Sequence, residues 1–200
     1  MLTVAGAGVG NPEYLTKEVL ERIKFSKRVV AFGRIKGSLS SIRKDIIEAI
    51  HVDEVLSFID EKDDLLLLVS GDPCFFGIVE LLKRKGVFID KILPGISAAQ
   101  YFSAKLQIPW SDAIVKSFHG RNLDLKNLKS GVHFFFTDKE NSPKKILNAL
   151  SSENYTGDFY AGYRLSYEDE EIVKVRIGED IPENNKVAMA LAVLDEDFKR

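Results

Sequence analysis

Apolar stretches in the first half of the chain follow two alternating periods. Leu65–Val69 is an uninterrupted apolar run, which is typical of a parallel strand buried on both faces of a sheet. Shorter apolar runs at residues 2–5, 28–32 and 87–93 predict further strands. Three segments with helical spacing lie between them: one capped by Thr16 with Val19, Leu20 and Ile23 on one face, one opened by Ser41 with Ile42, Ile46 and Ile50, and one over residues 78–85 that Gly86 closes. This alternation predicts a parallel α/β sheet.

The second half has a different pattern. Residues 132–136 predict a strand, and Ser142 followed by Pro143 marks the start of a helix. Three apolar runs, at residues 159–163, 172–177 and 187–194, then follow with short connections, and the middle one alternates apolar and basic residues as a half-exposed antiparallel strand does. The alternation of predicted strands and helices is interrupted at residues 108–111. We therefore predict two α/β domains, residues 1–110 with a mainly parallel sheet and residues 111–200 with a mixed sheet.

Composition excludes several classes of protein. The 200 residues are 45% hydrophobic and 29% charged, and 28 basic against 30 acidic side chains give a net charge of −2. A chain so close to neutral has no net positive potential that would attract nucleic acid or an anionic membrane. Its one cysteine, Cys74, allows no intrachain disulfide or cysteine-rich metal site, and we expect it to be a small apolar filler. No apolar run is long enough for a membrane span or a signal peptide, so we expect a cytoplasmic protein without a metal centre.

Four loops combine a strand end with glycine. They are residues 6–12, 70–73, 94–97 and 119–121. In open α/β sheets, ligands bind beyond the carboxyl ends of the strands, and glycines there allow the backbone to approach a ligand closely. Three such loops in one small domain predict a binding cleft.

A dinucleotide-binding fold is the obvious candidate, but the first loop does not match it. It reads G-x-G-x-G-N, and Pro12 delays the following helix. The second strand ends with Phe32, Gly33 and Arg34, without an acidic residue for a ribose hydroxyl. Arg34 could instead accept a 2′-phosphate, so an NADP-linked reductase stays open as an alternative. A non-catalytic module that binds a nucleotide or a tetrapyrrole is another.

Taken together, the loops resemble the signatures of the tetrapyrrole methylases, which use S-adenosylmethionine in cobalamin and sirohaem synthesis and to which diphthine synthase is related. The three N-terminal signatures are similar to GAGVGNPEYLT at residues 6–16, SGDPCFFG at 70–77 and PGISAAQ at 94–100. Two further segments, SFHGR at 117–121 and LSYEDE at 165–170, resemble the CbiE branch, which methylates C5 of precorrin-7 or its cobalt complex. Another branch, acting at a different ring carbon or on diphthamide, remains an alternative.

The resemblance implies an interdomain cleft that holds both the cofactor and a tetrapyrrole substrate. It also implies a homodimer that works beside a separate CbiT-like enzyme, which methylates C15 and removes a carboxyl group. The residues implied for S-adenosylmethionine are Gly8, Gly10, Pro12, Gly71, Asp72, Phe75, Phe76, Ser97, Ala98 and Thr137. For Asp72 the alternative is a carboxylate that caps the turn before Pro73.

A corrin precursor carries acetate and propionate groups around a flat apolar ring, so arginine and histidine donors are expected at its site. The candidates are His119, Arg121, Arg34, Arg164 and Tyr167. Solvated surface charges are the alternative for the arginines. Since a sulfonium is already an excellent leaving group, no side chain should be indispensable as an acid or base, although His119 is a candidate proton acceptor.

The chain departs from the family pattern at three places. Val9 stands where proline is usual, Tyr163 and Arg164 replace an acidic residue and asparagine, and Glu168 replaces a common proline. The first departure affects one turn of the cofactor loop, and the other two concern the lip of the substrate site.

Overall fold

The computed structural model describes residues 1–33, 35–59 and 64–196 and divides into two compact units, Met1–Tyr101 and Phe102–Arg200. The division falls within a helix, Ala98–Leu106, whereas the boundary predicted from the sequence lies between residues 110 and 111, after that helix. The second half of the helix packs within the second unit, since a methyl group added at Gly162 would lie 3.0 Å from the Phe102 ring.

Unit 1 is built around a five-stranded parallel sheet in the order β3-β2-β4-β1-β5. Its elements are β1 (Leu2–Gly6), α1 (Lys17–Phe25), β2 (Arg28–Phe32), α2 (Lys36–Leu39), β3 (Ile47–Ala49), α3 (Val52–Phe58), β4 (Leu65–Val69), α4 (Ile78–Arg84), β5 (Lys91–Leu93) and the start of α5 (Ala98–Leu106). The predicted parallel sheet is confirmed.

Strand β4 is central in the sheet and explains the uninterrupted apolar run. Leu66 and Leu68 belong to the apolar cluster on one face, while Leu65, Leu67 and Val69 belong to the cluster on the other. Both faces are covered, so no position of the strand is polar.

The helix predicted to open at Ser41 is wrong. The chain instead forms the short α2 and then β3, which pairs in parallel with β2. Arg43 fixes the intervening segment, because its guanidinium donates to the carbonyl oxygens of Ile23 and Ser26 at 3.0 and 2.5 Å and pairs with Asp45. Ile50 is 62% exposed, so the four-residue spacing of isoleucines does not mark one buried face.

Unit 2 contains a five-stranded mixed sheet in the order β6-β7-β10-β8-β9, as predicted. Its elements are β6 (Ile114–Ser117), β7 (Gly131–Phe136), α6 (Pro143–Ser152), β8 (Gly157–Tyr163), β9 (Glu171–Arg176) and β10 (Ala188–Leu194). Strand β6 is parallel to β7, and every other pairing is antiparallel. The predicted cap is confirmed, since the Ser142 hydroxyl accepts the Lys145 N–H at the start of α6.

The strand directions place several loops at one edge of the unit 2 sheet. Strand β10 is antiparallel to both β7 and β8, so the carboxyl ends of β7 and β8 lie beside the start of β10. Strand β6, parallel to β7, ends at the same edge. None of the helices in the described ranges is long and apolar enough to cross a membrane.

Candidate active site

The first glycine loop of unit 1 follows β1 directly. Gly8 has a φ of +65°, and the Asn11 side chain accepts the Glu13 N–H at 2.9 Å to cap a short 3-10 turn, Pro12–Tyr14. Helix α1 begins only at Lys17. The glycines are therefore not followed directly by a helix N-terminus, as a dinucleotide-binding motif requires, which argues against a nicotinamide-linked reductase.

Three glycine loops meet where β4, β1 and β5 end side by side. The Gly71 N–H donates to the Gly8 carbonyl at 2.6 Å, which joins the β4 and β1 loops. A Cβ atom added at Gly6 would lie 2.6 Å from the Gly95 nitrogen and closer still to the Gly71 carbonyl oxygen. Backbones can pack this tightly only where side chains are absent, so the glycines bring the three loops into one surface.

Asp72 joins the β4 loop to the β5 loop. Its Oδ1 accepts the Cys74 N–H at 2.8 Å, and its Oδ2 accepts the Gly95 N–H at 3.1 Å. This is the turn-capping arrangement named as the alternative for Asp72. Because each carboxylate oxygen can accept a second hydrogen bond, the arrangement leaves capacity for the cofactor, and the predicted contact stays a prediction.

The β5 loop leads into α5 through a reciprocal cap. The Ser97 hydroxyl accepts the Gln100 N–H at 3.2 Å, and the Gln100 Oε1 accepts the Ser97 N–H at 2.8 Å. Ser97 is buried, and Ala98 starts the helix. Gly71, with a φ of +66°, faces this turn, and a Cβ added there would meet only the Ser97 Cα, at 3.7 Å. The space above Gly71 is thus available to a ligand.

Two aromatic residues follow on the β4 loop. Phe75 and Phe76 pack edge to face with ring centroids 5.1 Å apart, and Phe76 has a φ of 52° and is 48% exposed. The loop therefore offers aromatic surface next to its glycine. Cys74 is exposed, so its prediction as a small apolar filler is wrong.

In unit 2, the loop with His119 and Arg121 follows β6. Gly120 donates its N–H to the Asp138 Oδ2 at 2.7 Å, and the buried Asn141 amide donates to the carbonyl oxygens of Phe118 and Arg121 at 3.0 and 2.9 Å. Both predicted side chains are exposed, and no described residue forms an ion pair with the Arg121 guanidinium.

Asp138 remains charged in this loop. Burial would raise the pKa of its carboxyl group, but the N–H groups of Gly120, Asn141 and Glu140, together with the charge of His119, outweigh burial and hold the pKa below its ordinary value. A charged Asp138 fixes the backbone that carries Arg121.

Thr137 directly follows β7 at the same sheet edge. Its hydroxyl donates to the Ala188 carbonyl at 2.5 Å, which ties the end of β7 to the start of β10. The hydroxyl oxygen can still accept a hydrogen bond, so the predicted cofactor contact stays a prediction.

Arg164 and Tyr167 lie on the loop after β8. The Arg164 guanidinium stacks on the Tyr167 ring, with Cζ 4.1 Å from the centroid, and its Nε donates to the Asp169 Oδ1 at 2.9 Å. Arg164 and Ser166 have φ values of 49° and 71°, which are strained for residues with a side chain. The stack and ion pair hold the guanidinium in a defined orientation. The remaining substrate candidate, Arg34, lies outside the described residues.

Comparison with known proteins identifies the family. Residues 1–180 match the model of the tetrapyrrole (corrin/porphyrin) methylases. The chain belongs to the tetrapyrrole methylases.

Relatives within this methylase family are similar in sequence to this protein over most of its length. The cobalt-precorrin-7 C(5)-methyltransferase of Salmonella typhimurium is 30% identical over 161 residues, covering 75% of this chain and 77% of that protein. The probable cobalt-precorrin-7 C(5)-methyltransferase of Methanocaldococcus jannaschii is 26% identical over 187 residues, 86% and 87% of the two chains. The fold matches that of the Thermus thermophilus uroporphyrin-III C-methyl transferase complexed with S-adenyl homocysteine, with a TM-score of 0.73 at 20% identity over 96% of each chain.

The unit 1 edge of this methylase fits the family's cofactor, S-adenosylmethionine. Asp72 supplies acceptor oxygens for amino or hydroxyl groups, Gly71 leaves open space, and Phe75 and Phe76 supply apolar surface. The cofactor supplies a methyl group activated on a sulfonium, so the chain has to bind and orient rather than act as a nucleophile.

Two departures from the family pattern have a structural basis. Tyr163 is buried in the core of unit 2, where burial and the charges of Glu171 and Glu183 raise its pKa to about 12, so this position is neutral. Arg164 takes its charge partner, Asp169, from its own loop. The loop after β8 thus carries a guanidinium at position 164 that is paired within the loop.

Two residues that hold the Arg121 loop, Asp138 and Asn141, were not predicted from the sequence. Asp138 directly follows the Phe136-Thr137 strand end, and Asn141 precedes the Ser142-Pro143 helix start. Both positions carry a local signal for a polar cap, but the partners of these side chains lie about 20 residues away, and no local pattern shows that.

Proposed function

We propose that this methyltransferase acts on the corrin ring in cobalamin synthesis and methylates C5 of cobalt-precorrin-7 or precorrin-7. The observation that carries the proposal is the similarity, over most of the chain, to two relatives with that named activity. The glycine surface of unit 1, and the exposed Arg121 and half-buried Arg164 at the unit 2 sheet edge, support it.

The unit 2 edge suits a flat polyanion. The loops with Arg121 and Arg164 follow β6 and β8, which are three strand positions apart in the sheet. Neighbouring strands are about 4.8 Å apart, so the two loops start roughly 14 Å from each other. Arginine side chains at this spacing can bind carboxylates on different sides of one macrocycle, since each guanidinium binds a carboxylate through a planar fork.

The chain contributes binding and orientation to the reaction. When bound, S-adenosylmethionine would supply the methyl group for the ring carbon and would be left as a neutral thioether, while the chain's residues would hold donor and ring in place for the transfer. The electron pair comes from the ring, and the ring later loses a proton, for which His119 is the candidate acceptor. We expect no single acid or base to be essential.

The test is a methyl-transfer assay with S-adenosylmethionine and cobalt-precorrin-7, with mass spectrometry and NMR of the product. The expected product is heavier by one CH2, because a methyl group is gained and a proton is lost, and the new methyl group is located at C5. A methyl group at another ring carbon would refute the C5 assignment and would place the protein in a different branch of the tetrapyrrole methylases. Titration with S-adenosylhomocysteine and NADPH separates methyltransferase from reductase, and binding of NADPH alone would refute the proposal.

We also propose that the protein acts in the cytoplasm as a homodimer and beside a CbiT-like C15-methyltransferase. The family resemblance supports this. Light scattering of the purified protein tests the dimer, cell fractionation tests the location, and a coupled assay with the partner enzyme tests the pairing.

A further inference from the structure

The Arg121 loop and the first turn of α6 enclose a depression of about 350 Å³ on unit 2. This volume is near the lower end of the range for small-molecule sites. Arg121 and Lys145 supply its cations, and Asp138 and Glu140 supply its carboxylates. The Lys145 side chain is not needed for the cap of α6, because only the Lys145 backbone N–H donates to the Ser142 hydroxyl.

The walls of the depression are fixed to each other. The Asn141 amide is bonded to the Arg121 carbonyl, and Asp138 is bonded to the Gly120 N–H. The Lys145 Nζ donates to the Glu140 carbonyl at 2.8 Å. Because these contacts join the loop to the helix start, the two cationic side chains begin from a rigid frame, and binding an anion requires little ordering of the backbone.

The charges in the depression are not equally available. Asp138 uses both oxygens on backbone N–H groups. Lys145 donates one hydrogen bond to a neutral carbonyl and keeps its other ammonium protons, whereas its neighbour Lys144 pairs with Asp180 at 2.9 Å. Both carboxylates therefore oppose an anion here, and since Asp138 also holds the loop, Glu140 is the acid whose charge can be removed without disturbing the frame.

We propose that this depression is a carboxylate subsite in which Arg121 and Lys145 together bind one acetate or propionate group of the tetrapyrrole. The inference rests on the proposed function and adds Lys145 to the binding residues. Glu140 limits the affinity of the subsite, because its negative charge lies against the same depression.

The test is a charge series measured by calorimetric titration of the full chain with cobyrinic acid, a corrin polycarboxylate. We expect Lys145→Gln to raise the dissociation constant roughly tenfold, and Glu140→Gln to lower it about threefold. Lys144→Gln is the matched control, from the next position on the same helix, and should stay within about twofold. The fully amidated corrin should bind all four proteins alike, because it offers no carboxylate.

Equal affinities of the Lys145→Gln and wild-type proteins for cobyrinic acid would overturn the subsite. So would an equal loss in the Lys144→Gln protein or the same loss with the amidated corrin. Failure of the proposed function is seen separately: a wild-type protein that shows the charge series but transfers no methyl group to cobalt-precorrin-7 would overturn the methylation step and leave the subsite standing.

Discussion

Gly6→Ala tests whether close packing of the strand-end loops is what builds the cofactor surface. The new methyl group would lie 2.6 Å from the Gly95 nitrogen and 2.7 Å from its Cα, whereas ordinary contacts begin at 3.4 Å. The β5 loop would therefore have to move by about 0.8 Å, the difference between 3.4 and 2.6 Å. Its movement would also strain the Gly95 N–H bond to Asp72.

The expected effect is large for binding and moderate for stability. A displacement near 1 Å at a positioning element can reduce catalysis about 100-fold, or about 2.7 kcal/mol. Overpacking should lower the free energy of unfolding by about 1–3 kcal/mol. The methyl-transfer assay measures the loss of catalysis, calorimetric titration with S-adenosylhomocysteine measures the accompanying loss of cofactor affinity, and urea unfolding followed by circular dichroism measures the loss of stability.

Gly37→Ala is the matched control in the same unit. Gly37 lies in α2, and a Cβ added there meets nothing within 4 Å, so the variant should bind like the wild type and gain up to about 1 kcal/mol of stability. A folded Gly6→Ala protein with wild-type cofactor affinity would refute the role assigned to the glycine packing.

Three further predictions concern single polar groups. Asp72→Asn should cost about 1–3 kcal/mol in urea unfolding as well as weakening S-adenosylhomocysteine binding, since one acceptor for the loop N–H groups is lost; unchanged stability would argue against its role as a link between loops. Burial lowers the pKa of His133, so the unfolded chain takes up a proton on this side chain more readily than the folded chain does. The contribution of His133 to the free energy of unfolding is complete above pH about 6.5 and should fall by at most about 1.4 kcal/mol per pH unit as the pH drops through 6.5 towards the folded pKa. Urea unfolding at several pH values should show that His133→Leu removes this pH dependence. Asp169→Asn should raise the KM for the tetrapyrrole severalfold, because the Asp169 carboxylate orients the Arg164 guanidinium. A lower KM in the variant would show instead that Asp169 acts only by repelling the substrate's carboxylates.

Much of the fold was predictable because burial leaves a periodic trace in the sequence. The apolar run of β4 and the Thr16 and Ser142 caps are local signals, and each predicted its element. The segment after Ser41 failed because its isoleucines matched a helical spacing by chance, while the backbone was fixed by Arg43 and by pairing with β2. Hydrogen bonds over 17 and 20 residues leave no mark on a local pattern.

The candidate site was predictable in the same partial way. The glycine loops could be placed at one sheet edge from strand direction alone, and the structure brings the loops with Gly8, Gly71 and Gly95 together there. The roles of Asp138 and Lys145 depend on which loop packs beside them, and this is decided by tertiary structure. The sequence shows only that both residues are polar and close to a helix start.

The two sheet edges differ in the physical means by which they would bind a ligand, and this difference sets how each should respond to mutation. The unit 1 edge would bind through backbone atoms held close by glycines, so added methyl groups should damage it more than lost charges, Asp72 excepted. The unit 2 edge would bind through cations such as Arg121 on a rigid loop, so the effects of charge changes should dominate there and should weaken with salt. Such a division suits a reaction in which the donor needs exact placement and the acceptor is a large polyanion, because placement requires a stiff backbone while polyanion recognition requires charges distributed along an edge.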